Sequence, residues 1–150
     1  MVVLRHDQRF LLLKRAKPPY QGHYLPVGGK VDPFEDPYSA AVRELFEETG
    51  FQVAQLRYAG SLIETSPTAY NWQSNIYVAD IEPVDPPACP EGILEWVTFQ
   101  QIPFIPTPPT DWHIYQYLMR EQPFAFNAVY DEAMTLLRMV EEIEGKVVVE

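Results

Sequence analysis

The chain opens on two short apolar runs, "MVVL" and "RFLLLKR", separated by the polar "RHDQ". Such runs predict two strands joined by a turn. "AKPPYQGHYLPVGG" has no periodicity, and its prolines and glycines predict a loop. Between Asp36 and Gly50 the pattern becomes helical. Asp36 suits an N-cap, Pro37 the first helical position, and Gly50 the left-handed residue past the last turn. "FQVAQLRYAGSLIET" and "YNWQSNIYVADI" read as a hairpin-like pair of strands around "SPTA". "ILEWVTF" and "FAFNAVY" read as two further strands, and the proline-rich "EPVDPPACPEG" and "IPFIPTPPT" as loops. "DWHIYQYLMREQ" predicts a helix starting at Asp111, and "DEAMTLLRMVEEIEG" a final helix. In that last segment Met134, Leu137, Val140 and Ile143 fall near helical spacing and would form core or a homodimer face. Strands and helices without regular alternation predict an α/β fold with a mixed sheet flanked by helices. There is no repeat and no linker, so residues 1–150 read as a single domain.

Composition narrows the setting. An apolar fraction of 47% and an aromatic fraction of 13% belong to a folded chain, not a disordered one. The net charge is −10, which sets the surface against nucleic-acid polymers and anionic membranes. A polyanionic substrate would need local help, for instance from bound cations. Cys89 is the single cysteine, so no disulfide framework and no cysteine metal site is available. No apolar run approaches the roughly 18 residues of a membrane span, and the N-terminus lacks a signal pattern. A soluble cytoplasmic protein is the default expectation.

Against that background the segment "GKVDPFEDPYSAAVRELFEETGF" concentrates further negative charge. On a helical wheel Glu44, Glu47 and Glu48 share a wedge about 100° wide, with Tyr38, Val42, Leu45, Phe46 and Thr49 opposite. The plain reading is an amphipathic helix with a solvated acidic face. Like charges at this spacing cost only a few tenths of a kcal/mol, which a stable fold tolerates. Two details favour a site. Ala40 and Ala41 lie in the same wedge and leave the carboxylates unshielded, and "PVGGK" just upstream offers backbone without side chains. Carboxylates grouped in this way suit hard divalent cations such as Mg²⁺ or Mn²⁺.

Gly29, Glu35, Arg43, Glu44, Leu45, Glu47, Glu48, Gly50 and Phe51 are spaced as in the Nudix box, G-x5-E-x7-R-E-U-x-E-E-x-G-U with U apolar. A chance match somewhere in this chain is on the order of 10⁻⁸. The chain thus resembles the Nudix hydrolases, and the likeness extends to "FLLLKR", "YLPVGGK" and "EGILEW". What the resemblance implies is the family's α/β/α sandwich around a mixed sheet, and hydrolysis of a nucleoside diphosphate linked to another group. Carried over position by position, it implies a Mg²⁺ site (Mn²⁺ being the alternative) built from Glu44, Glu47, Glu48 and the carbonyl of Gly28. Glu44 is also the candidate base for the attacking water. Arg43 and Glu35 are assigned to holding loop and helix together, with direct catalysis by Glu35 the lesser alternative. A later acidic ligand is expected at Glu91, with Glu95 as its rival.

The rest of the chain is similar to the MutT-like branch, which hydrolyses oxidised purine nucleoside triphosphates. There Asp111 falls at a base-reading aspartate, although it would equally serve as the N-cap of its own helix. Pro108 and Leu25 replace a tryptophan and an asparagine used by human-type enzymes, which implies modest discrimination between oxidised and normal guanine. Tyr24 and Trp72 are candidates for stacking on a base and Lys30 for a phosphate contact, each also open to an ordinary structural role. The three histidines show no metal-ligand spacing. The expected partner is a small nucleotide. The alternatives are a nucleotide sugar such as ADP-ribose, or a non-catalytic module that binds a nucleotide metabolite.

Overall fold

The computed structural model describes residues 1–150. Contacts within the chain separate two compact units, residues 1–58 with 77–108, and residues 59–76 with 109–150.

In the first unit the opening runs form β1 (Val2–His6) and β2 (Arg9–Arg15), an antiparallel pair whose turn places Asp7 at a φ of 48°. β3 (Tyr24–Leu25) adds to β2 inside the stretch expected to be all loop. The end of β5 (Trp72–Asp80) runs parallel to β1, from Val2↔Tyr77 to Arg5↔Asp80. β7 (Gly92–Thr98) pairs with β2 along its length, and the short β6 (Ala88–Cys89) pairs with β7. Parallel and antiparallel pairs together make a mixed sheet, as the irregular order of elements predicts. Val2, Leu4, Leu11, Leu13 and Leu94 close its core with Leu45 of the helix α1 (Pro37–Thr49). Leu45 is 1% exposed, so truncation to Ala would cost about 2–5 kcal/mol.

Helix α1 begins and ends where its residues dictate. Asp36 is extended (φ −85°, ψ 160°), and its Oδ1 accepts from the backbone N–H of Tyr38 and Ser39 at 2.9 and 3.0 Å. Gly50 takes a left-handed φ of 74° and donates to the Phe46 carbonyl. Its orientation departs from the wheel. The buried residues are Ala40, Ala41, Leu45 and Thr49, while Tyr38, Val42 and Phe46 are 41%, 41% and 51% exposed. Ala41 and Leu45 pack in the core against the sheet, so the stripe read as inward faces partly outward.

In the second unit the later part of β4 (Arg57–Thr65) runs parallel to β8 (Phe124–Tyr130), from Gly60↔Phe124 to Thr65↔Val129. The expected strand at 51–65 is therefore shorter, beginning only at Arg57. Helix α2 (Pro109–Met119) sets Tyr117 edge-on against Phe124 and Phe126. It starts two residues earlier than expected, which puts Asp111 inside the first turn. The N-cap reading of Asp111 is corrected accordingly.

The expected final helix is a hairpin of β9 (Leu136–Glu141) and β10 (Lys146–Val149), with β9 antiparallel to β8. Local side chains break the helix at both ends. Asp131 Oδ1 accepts from the N–H groups of Ala133 and Thr135, bending the chain where Met134 has φ 61°. The fully buried Glu141 carboxylate accepts from the backbone of Ala125, Ile143 and Glu144 and folds the next turn. Pairing with β8 thereby overrides the helix-forming composition, and Met139, not the helical set around it, enters the core.

Candidate active site

The face that α1 buries decides the state of its carboxylates. The Glu44 side chain is 17% exposed and that of Glu47 56%. Glu48 is half-buried, and its carboxyl is pushed up to about 7, first by burial and then by the charges of Glu44 and Glu91. The acidic face is therefore not simply solvated. Gly28 donates its N–H to Glu48 Oε2 at 3.2 Å. A Cβ on Gly29 would fall onto the Glu44 carboxylate, so the missing side chain is what admits it. The Gly pair is set in place by the Val2 N–H, which donates to the Val27 carbonyl at 2.7 Å.

Arg43 ties this face together. Its Nε and Nη2 meet the two oxygens of Glu35 at 2.9 and 2.8 Å, a bidentate pair. Nη2 also donates to the Lys30 carbonyl at 2.9 Å, and Nη1 to Glu44 and Glu47 at 2.8 and 3.3 Å. Glu35 accepts from the Asp32 N–H in turn, and the Arg43 guanidinium holds its carboxyl below the usual range. One guanidinium thus fastens the loop at 30–35 to α1 and aims Glu44.

Glu91 lies between β6 and β7, where its carbonyl accepts from Ala16 and its charge reaches Glu48. The rival Glu95 is engaged elsewhere: Tyr24 donates its hydroxyl to it at 2.6 Å, and this bond drives the phenol up to about 12. Tyr24 is 9% exposed and lies under Lys14, a setting that leaves little ring surface for stacking. Lys30 is exposed.

The donor set suits a hard divalent cation. It consists of carboxylates and a carbonyl, and the half-buried Glu48 carries like charge that a cation would offset. In the arrangement described, no three acidic, His or Cys side chains converge on one point, because Arg43 and the Gly28 N–H occupy them. Rotation of Glu47 and Glu48 toward a Glu44 that Arg43 still holds would be part of binding.

The remaining substrate candidates belong to the second unit. Trp72 is 43% exposed, its ring 5.9 Å from that of Tyr70. Asp111 is 5% exposed, and its Oδ2 has no hydrogen-bond partner. Burial and the charge of Glu64 push its carboxyl up to about 8. Glu64, 8% exposed, is a polar residue that sequence reasoning passed over. It accepts hydroxyl bonds from Tyr130 (2.8 Å), Tyr70 (3.2 Å) and Thr110 (3.3 Å). Alternation along β4 puts it on the face of Gly60 and Leu62, a signal that could have found it.

The fold and the box are those of a known class. The NUDIX domain model matches residues 1–118, and the chain belongs to the Nudix family. It is accordingly a Nudix pyrophosphohydrolase in class. Among its relatives, the uncharacterized Nudix hydrolase YvcI of Bacillus subtilis is 30% identical over 80% of this chain and 77% of its own length. The oxidized purine nucleoside triphosphate hydrolase of Mus musculus is 28% identical over 91% of this chain and 88% of its own. The crystal structure of the mutator MutT protein from Bacillus halodurans superposes with a TM-score of 0.82, at 21% identity and 95% coverage of both chains. That likeness is one of fold.

Proposed function

We propose that this chain hydrolyses the diphosphate linkage of a nucleoside diphosphate-X substrate, most specifically a nucleoside triphosphate with a normal or modified base, using Mg²⁺ or Mn²⁺. The observation that carries the proposal is Glu44 and Glu48 half-buried against Gly28 and Gly29, with Arg43 fixing the helix to the loop. Glu44, Glu47, Glu48, the Gly28 carbonyl and Glu91 would hold the cation. When bound, it supplies charge neutralisation at phosphoryl oxygens and lowers the pKa of water. Glu44 takes the proton of the attacking water, since it is the carboxylate that Arg43 orients. Arg43 and Glu35 keep that carboxylate within reach of the substrate without themselves touching it. Lys30 contributes a phosphate contact, with Tyr24 bracing Glu95 instead of stacking.

The triphosphate reading draws on the mouse relative, whose likeness runs over most of both chains. An ADP-ribose pyrophosphatase of Saccharomyces cerevisiae is 42% identical, but only over 62 residues. The test is a panel of nucleoside triphosphates and nucleotide sugars, assayed with and without Mg²⁺ for pyrophosphate and phosphate release. The expected result is cation-dependent pyrophosphate release from a triphosphate. Hydrolysis confined to nucleotide sugars would move the substrate class, and no turnover across the panel would overturn the proposal.

A further inference from the structure

A cavity of about 400 Å³ lies apart from the carboxylate face of α1. Asp7, Gln8 and Arg9 line it where β1 turns into β2, and Thr98, Phe99 and Gln100 where β7 ends. Its walls are tied to each other and to the fold. Phe99 donates its N–H to the Gln8 carbonyl at 2.9 Å, and its ring packs on Phe10 at 4.7 Å. Gln101 Oε1 accepts from the N–H and the hydroxyl of Thr98 at 2.8 and 3.1 Å. Walls fixed in this way make a pre-formed pocket, of a size at the small end for ligand sites.

Arg9 is placed unlike its fellow arginines. The chain has 21 acidic residues against 11 basic ones, and Arg5, Arg43 and Arg57 each hold a carboxylate. The Arg9 guanidinium lies instead over the Trp96 ring, 5.3 Å from its centroid. Stacking engages the flat face of the group and leaves its edge donors, a fork that matches a carboxylate. Asp7, in the same lining, meets His6 Nε2 through Oδ2 at 3.2 Å, which leaves Oδ1 open.

We propose that this cavity is a second binding site, for a small zwitterion of amino-acid size. The ligand's carboxylate meets Arg9, its ammonium meets Asp7, and an apolar side chain lies along Phe99. One lining residue of each sign makes the cavity neutral, which suits a ligand that is itself neutral overall. A phosphate dianion would find a single cation, an opposing Asp7 and a chain of net charge −10. The site shares no residue with the hydrolytic reading above, so the two stand or fall separately.

The experiment titrates the full chain with L-leucine and follows the backbone amides of Gln8, Arg9, Phe99 and Gln100 by nuclear magnetic resonance. Isocaproate, which lacks the ammonium, isoamylamine, which lacks the carboxylate, and inorganic phosphate are titrated alongside. Leucine should bind saturably, at least about tenfold more tightly than any of the three, as expected when a hydrogen bond between charged groups is lost. Arg9→Gln should weaken leucine and isocaproate alike by about tenfold or more. Asp7→Asn should weaken leucine and leave isocaproate no weaker than before. Asparagine accepts the left-handed φ of 48° at this turn, so that variant keeps the fold and decides alone if Arg9→Gln does not. The absence of a saturable shift with leucine would overturn the proposal. So would phosphate binding more tightly than leucine, or leucine affinity unaltered in the folded variants.

Discussion

The Glu44 carboxylate rests against the backbone of Gly29, in the space that a Cβ at that position would need. Gly29→Ala therefore pushes on the end of a flexible side chain and not on the backbone. Stability should change by less than about 1 kcal/mol, while displacement of Glu44 lowers kcat/KM by about tenfold or more. Thermal melts and steady-state kinetics on the one variant check both halves. An alanine variant with full activity would mean that the close approach has no bearing on chemistry.

Arg43 reaches Glu35 with two nitrogens, Lys30 with one and Glu44 with another. A lysine keeps the charge but cannot reproduce that fork. Arg43→Lys should lower the melting temperature and reduce kcat by about 10²-fold, because the loop and Glu44 lose their fixed relation. Retention of both would show that charge alone suffices there.

Asp111 sets a pH dependence. Its carboxyl, pushed up to about 8 in the folded chain, titrates near 3.9 when unfolded. Between these values the native state binds more protons than the unfolded one. This group's effect on stability is therefore least unfavourable below about pH 4 and worsens as pH rises toward 8. Asp111→Asn removes the titration. Urea unfolding of both proteins from about pH 5 to pH 8 should show the wild type losing stability relative to the variant. A wild-type-minus-variant difference that stays constant across this range would contradict a carboxyl held neutral.

Much of this could be read from residues alone. Asp36, Pro37 and Gly50 bound α1 because capping is local chemistry, and the box around Glu44 is a spacing that needs no tertiary information. What escaped was set by long-range packing. The face that α1 buries follows from packing of Ala41 and Leu45 against the sheet, which a wheel does not contain. The tail reads as helix because Glu, Met and Leu favour helices. Its strand form is imposed by β8 and by the backbone bonds that Glu141 collects from Ala125, sixteen residues away. The partners of Glu64 come from three separate segments, so no local window reveals them.

Cation binding should appear as stability. A ligand at about a hundred times its Kd adds about 2.7 kcal/mol to a fold that holds its site. Millimolar Mg²⁺ should raise the melting temperature and EDTA reverse it, with a smaller effect in Glu48→Gln. A melting temperature indifferent to both would remove the carboxylate face as a cation site.

The central claim is that Glu44 acts on the reacting water, and turnover of Glu44→Gln with the best triphosphate at saturating Mg²⁺ tests it most directly. The substitution preserves length and helix propensity and relieves like-charge repulsion, so the melting temperature should hold or rise. The account predicts a kcat lower by at least about 10²-fold in this folded variant. Turnover close to that of the wild type would contradict it.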